Sequence, residues 1–169
     1  MDVASRIVVI GVGNDFRRDD GVGWAVVARL AEGAERQPLP AGTALAVSDG
    51  DPARLIGLWE GAVLAIVVDA AHAHPGLPGR VHRLELDTEG LSPAGGATSS
   101  HGLGLGEAVE LARVLGRLPG RLVVYAVEGA DTSLGTGLST PVAATVEPLV
   151  RRIVKDLAPH RGPAAHRKA

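Results

Sequence analysis

Seven consecutive apolar residues, Ala-Val-Leu-Ala-Ile-Val-Val at positions 62–68, run directly into Asp69. Side chains of a strand alternate between two faces, and here neither face carries a polar residue. Such a run predicts a strand covered on both sides, which is the situation of a parallel sheet between two layers of helices. Arg6–Ile10 (Arg-Ile-Val-Val-Ile) repeats the pattern, and Thr43–Val47 and Arg121–Val127 supply two more strands. Arg80–Leu86 differs. There Val81, Leu84 and Leu86 are set against Arg83 and Glu85, predicting an edge strand exposed on one side.

Helical patterns fall between these runs. Gly21–Glu32 places Val22, Val26 and Leu30 on one face, and Leu103–Leu115 has Leu105, Ala108, Val109 and Ala112 as its apolar stripe. Asp51–Trp59 begins with Asp51 as N-cap and Pro52 in the first turn. Thr140–Leu157 begins with Thr140 as cap and Pro141 at the first helical position. Pro and Gly make His72–Gly79 a loop, and Gly, Ser and Pro do the same for Thr88–Ser100. Strands alternating with helices predict an α/β fold: a three-layer, doubly wound, mainly parallel twisted sheet of about five strands with helices on both faces. The 169 residues suit a single domain over 1–159, with a basic, disordered tail over 160–169.

Composition removes several chemistries. With no cysteine there is no disulfide, thiolate metal site, iron–sulfur cluster or cysteine nucleophile. The only lysines are Lys155 and Lys168, and neither follows a glycine-rich loop, so a phosphate-binding or Schiff-base lysine is not expected. Residues 1–159 carry a net charge of −5 and aromatic residues make up 2% of the chain, a poor basis for binding nucleic acid. Ile7–Ile10 is too short for a signal peptide or a membrane span, so the expectation is a cytoplasmic protein.

In a doubly wound sheet, ligands gather beyond the carboxyl ends of the strands, where chain order reverses. The residues that follow the predicted strands are Asn14, Asp19 and Asp20, then Asp49, Gly50 and Asp51, then Asp69, and finally Glu128; His101 precedes the third long helix. Aspartates in such positions also form turns and cap helices. Asp69 is the exception, because it ends seven apolar residues and an unpartnered carboxylate beside buried surface is costly. The consecutive acids Asp19 and Asp20 lie at the start of a helix, where the dipole favours negative charge and accounts for one of them. Two carboxylates and an imidazole on one rim suit a divalent metal with open positions. His72 and His74 have a metal-gripping spacing but sit beside Pro75 and Gly76 as exposed loop residues. Gly11-Val12-Gly13 starts like a dinucleotide fingerprint, yet position 16 is Phe, and Gly137-Leu138-Ser139-Thr140-Pro141 reads as a helix cap and not a serine elbow.

Three segments in order resemble the hydrogenase maturation endopeptidases, which trim a C-terminal extension from the large subunit of nickel–iron hydrogenases. They are Ile-Gly-Val-Gly-Asn with Asp20 and Gly23 downstream, Val-Val-Asp-Ala at 67–70, and Ser-His-Gly-Leu-Gly at 100–104. Asp49-Gly50 and Gly137-Leu138-Ser139 fall where that family has similar residues. The resemblance implies metal ligands and catalytic groups at Asp20, Asp69 and His101, with Asp19 left as a cap or outward-facing partner and Gly11, Gly13, Asn14, Asp49 and Gly50 lining the substrate. It implies nickel, supplied by the substrate precursor, as the ion engaged; another divalent metal would suit the same donors. The implied partner is a hydrogenase large-subunit precursor, met by a monomer with no role for nucleic acid or membrane. Three alternatives remain: a nickel-binding maturation module without hydrolysis that uses the same three ligands, a Rossmann-type cofactor-binding enzyme suggested only by Gly11 and Gly13, and an aspartic-type peptidase with Asp20 and Asp69 as its dyad.

Overall fold

The computed structural model describes residues 5–87 and 105–162. Five strands form one sheet: β1 (Ile7–Val12), β2 (Thr43–Ser48), β3 (Leu64–Ala71), β4 (Val81–Asp87) and β5 (Arg121–Glu128), in the order β2-β1-β3-β5-β4. All neighbours are parallel except β4, which runs antiparallel to β5 at the edge. The helices are α1 (Val22–Ala34), α2 (Pro52–Trp59), α3 (Leu105–Leu115), α4 (Thr140–Ala143) and α5 (Val146–Leu157). This is the α/β, mainly parallel five-strand architecture that the strand runs predict.

The apolar runs are buried on both faces because each face has its own core. Along β3, Leu64, Ile66 and Val68 join Val26 and Leu30 of α1 with Leu149 and Ile153 of α5. Ala65 and Val67 point the other way, into a core shared by Leu55 and Trp59 of α2 with Ala108 and Ala112 of α3. The core is mostly Val, Leu, Ile and Ala, but two of the few aromatics, Trp59 and Tyr125, are among its largest fully buried side chains.

Several boundaries differ from the sequence reading. Asp69 lies inside β3 and does not follow it; its register partner is Ala126 of β5. Likewise Gly11 and Val12 remain in β1. The helix expected over Thr140–Leu157 is two pieces, α4 and α5, broken at Ala144–Thr145. Pro148 accounts for the break: it has no N–H for the Ala144 carbonyl, and its ring crowds that carbonyl. The cap of α4 is Ser139, one residue before Thr140, and its hydroxyl is used elsewhere. Asp51 caps α2 as expected, accepting the Arg54 N–H at 3.0 Å. The start of the expected tail, His160, belongs to a 3-10 turn (Ala158–His160), and residues 163–169 lie outside the described region.

The packing of α1 on the sheet depends on two glycines. A Cβ on Gly11 would stand 2.3 Å from the Gly23 carbonyl oxygen, and one on Gly23 would stand 2.4 Å from that of Val68. Neither contact is possible, so α1 is seated directly on backbone. Gly23→Ala is expected to lift the helix and lower stability by about 1–3 kcal/mol, the usual range for overpacking. A thermal midpoint equal to wild type would show that α1 has room to move.

Candidate active site

Chain order reverses between β1 and β3, and the loops leaving these strands flank that crevice. Gly13 turns the chain after β1 with φ +141°, and a Cβ there would lie 1.9 Å from the Asp20 carbonyl oxygen. The Gly13 N–H donates to the Ser48 carbonyl (2.9 Å), and the Asn14 N–H donates to the Asp20 carbonyl (3.2 Å). The Asn14 side chain closes the turn by accepting the Phe16 N–H at 2.9 Å. These contacts fold residues 13–20 back on themselves and set Asp20 beside the end of β3. Gly13→Ala is therefore expected to displace Asp20 and reduce activity more than stability, which parallel cleavage and denaturation measurements would resolve.

Asp20 and Asp69 line one small pocket of about 170 Å³ together with Gly13, Asp49, Gly50 and His72. Leu105, the first residue of α3, closes its far side. Asp69 is 7% exposed and Asp20 half-buried. Burial, reinforced by the negative charge of Asp20 and only partly offset by the Ala70 N–H, pushes the Asp69 carboxyl up to about 7. A carboxyl poised there exchanges its proton near neutral pH, unlike an ordinary surface aspartate.

Asp19 does not face outward. It is fully buried, and its carboxylate accepts four hydrogen bonds: from the Ser139 N–H (2.7 Å), the Ser139 hydroxyl (2.8 Å), the Ala130 N–H (2.8 Å) and the Asp131 N–H (2.9 Å). Burial alone would raise its pKa, but these donors together outweigh it and hold the group below the ordinary carboxylate range. Asp19 thus ties the turn that carries Asp20 to the segment between β5 and α4. Nothing local in the sequence distinguishes the two acids, since the donors to Asp19 lie more than 100 positions away.

Gly50, with φ +94°, and Asp49 form the β2 side of the pocket, Asp49 also accepting the Asp51 N–H at 3.1 Å. Gly11 is buried against Gly23 and spends its small size on helix packing. His101 lies outside the described residues, four positions before Leu105 in the chain. Among the described residues no group of three or more His, Asp or Glu side chains is arranged to hold a metal ion. His72 and His74 are exposed, as expected, yet His72 lines the pocket. The signal for it was present: it follows Asp69 by three residues, just past the end of β3. Glu128 sits on the same rim but is committed elsewhere, accepting from Leu77 N–H (3.1 Å) and pairing with His82 Nε2 (2.9 Å) and Arg80.

A buried carboxylate beside a second one, at the switch point of a parallel sheet, is a geometry suited to a hydrolytic or cation-engaging site. A sequence model of the hydrogenase maturation proteases (HycI) matches residues 28–156. The chain belongs to that family. The matched stretch contains Asp69 and His101 and begins past Asp20. No curated protein matches the chain in sequence. Solved structures do. The hydrogenase maturating endopeptidase HybD from E. coli is 25% identical, with a TM-score of 0.72 over 91% of this chain and 93% of that one. A hydrogenase 2 maturation peptidase from a Thaumarchaeota archaeon is 25% identical (TM-score 0.67, 90% and 98% covered). The maturation protease HycI from Thermococcus kodakarensis is also 25% identical (TM-score 0.61, 93% and 95% covered). Membership makes this hydrogenase maturation protease a peptidase by class, and none of its described helices is long and apolar enough to cross a membrane.

Proposed function

We propose that this maturation protease is a monomeric cytoplasmic endopeptidase that removes a C-terminal extension from a nickel-loaded hydrogenase large-subunit precursor. Asp20, Asp69 and His101 engage the metal that the substrate brings. The observation that carries this reading is the pairing of Asp69, buried and raised to about 7, with Asp20 across one small pocket. Two carboxylate oxygens and an imidazole are suitable donors for a borderline divalent ion that keeps positions open for substrate. Such an ion supplies Lewis acidity toward the scissile carbonyl and toward water.

The chain's own residues do the rest. Asp20 and Asp69 would orient the ion, and a carboxylate of the site that is not holding it would accept the proton of the attacking water. The amide nitrogen leaves with that proton, releasing the extension and a new carboxylate on the large subunit. The Gly13–Asp20 turn and Asp49-Gly50 form the walls past which the substrate backbone runs.

Incubation with a nickel-loaded precursor tests the proposal: release of a short C-terminal peptide, together with a mobility shift of the large subunit, is expected. Tight nickel binding without release would instead favour a non-hydrolytic maturation module. Cleavage that persists in full after chelation of all metal would assign Asp20 and Asp69 as an aspartic-type dyad sharing a proton.

A further inference from the structure

β2 is the outer strand of the sheet, and its free side is uncovered among the described residues. The ladder phase identifies which groups face outward. The Gly42 and Ser48 carbonyls accept from Ile7 and Gly13 of the β1 segment, so even-numbered residues of β2 bond inward. In a parallel ladder the alternate residues point their N–H and C=O away from that partner. Leu45 and Val47 therefore each present to the open side a donor and an acceptor that no strand among the described residues pairs.

Natural sheets guard such edges with lysine, proline, bulges or a covering element. The sequence of β2, Thr-Ala-Leu-Ala-Val-Ser, contains none of these residues, and its register with β1 is unbroken. Val47 is 45% exposed although apolar. Beside the edge runs an open groove of about 640 Å³ between β2 and α1, walled by Leu45, Val47, Trp24, Ala28 and Leu138. The groove and the site pocket are linked by two segments of chain, with no lining residue in common. Its upper end reaches Asp15, Arg18 and Gly21 of the turn that carries Asp20, and β2 itself leads through Ser48 into Asp49-Gly50 of the pocket wall.

We propose that the open edge of β2 receives the C-terminal extension of the precursor as an added strand, antiparallel to β2, with alternate apolar side chains lying in the groove. The proposal rests on the endopeptidase reading above. The direction follows from geometry: the metal-bearing body of the substrate stays at the rim where Asp20 and Asp69 lie. A tail leaving that rim along the groove runs from the carboxyl end of β2 toward its amino end. Main-chain pairing would supply affinity with little demand on sequence, and the groove would supply the preference for apolar residues.

Amide hydrogen exchange on the full chain tests this. Adding a nickel-loaded precursor with its extension is expected to slow exchange at Leu45 and Val47 by about tenfold or more, while Ala44 and Ala46, already bonded to β1, change little. The same precursor truncated at the cleavage point is expected to give no such protection. Val47→Pro deletes the outward donor at an edge position that tolerates proline, and is expected to raise KM about tenfold with a smaller effect on kcat. Val47→Lys keeps the donor but puts a charge at the groove, and is expected to raise KM as well. Equal protection by the truncated precursor, or unaltered exchange and KM while cleavage proceeds, would overturn the edge proposal and leave the endopeptidase standing. Protection without any cleavage would do the reverse. Protection that grows with the concentration of this chain alone would assign the edge to a second copy and also overturn the proposal.

Discussion

Asp19→Ala is expected to destabilise the protein by about 3–5 kcal/mol, because four donors lose a buried anionic acceptor at once. Those donors are the Ser139 N–H and hydroxyl and the N–H groups of Ala130 and Asp131, all within 2.9 Å of the carboxylate. No water-exposed group can substitute, since Asp19 is fully buried. Asp19→Asn keeps the volume but turns an NH2 group toward donors, so most of the loss should remain. The pH dependence has a definite sign. Because the folded-state pKa is lowered, Asp19 contributes its full stability above the unfolded carboxylate value of about 4 and loses it as pH falls toward the folded value. Denaturant titrations at pH 7 and pH 3 should therefore show a gap between wild type and Asp19→Asn that narrows in acid. A gap of constant size would mean that the charge contributes nothing beyond shape. Activity should fall together with stability, since the segment that Asp19 anchors at Ala130, Asp131 and Ser139 backs the turn carrying Asp20.

Asp69→Asn and Asp20→Asn are expected to reduce cleavage by about three orders of magnitude, equivalent to about 4 kcal/mol of barrier. The effect of Asp69→Asn on stability should be opposite to that of Asp19→Asn. Asp69 has its carboxyl raised to about 7, against about 4 in the unfolded chain. Between those values the folded state holds a proton that the unfolded state has lost, so wild-type stability declines as pH rises from 4 to 7 and stays low above it. Three pKa units correspond to a ceiling of about 4 kcal/mol. Asp69→Asn removes the buried charge and should therefore be more stable than wild type at pH 8, with little difference at pH 4. An inactive variant that is also less stable at pH 8 would indicate that the carboxylate holds the fold together and would weaken its assignment to the chemistry. Nickel engagement should favour the ionised form and release close to one proton from Asp69 below pH 7, which calorimetry in buffers of different ionisation enthalpy would register.

The two aspartates on either side of Asp20 illustrate how far a sequence can be read. Asp69 was legible from its neighbours. Seven apolar residues guarantee a buried strand, and a carboxylate at the end of a buried strand must be desolvated wherever the rest of the chain goes. The strand runs likewise determined a parallel sheet covered on both faces, because period and polarity are local properties. Asp51 as a cap was legible for the same reason, as was a proline in the first turn of α4, whose cap is nevertheless Ser139 and not Thr140. Family resemblance rested on short segments whose order and spacing survive without any coordinates.

Asp19 was not legible. Whether it or Asp20 faces the pocket depends on which donors the 129–139 segment brings to it, and these come from beyond the last strand. The same holds for the division of the C-terminal helix at Ala144–Thr145, where Pro148 breaks a pattern whose apolar spacing continues, and for His72, which reaches the pocket only because β3 ends beside the β1 turn. The open edge of β2 is also a tertiary fact, since a strand sequence does not say how many neighbours it will have. The sequence by itself determined the kind of sheet, the family and the identity of Asp69 as a costly carboxylate, all through short-range patterns of burial. Only the tertiary structure decided which acids meet, what raises one and lowers another, and which edge stays unpaired. Those depend on contacts between distant segments, set by packing and hydrogen bonding across the whole chain.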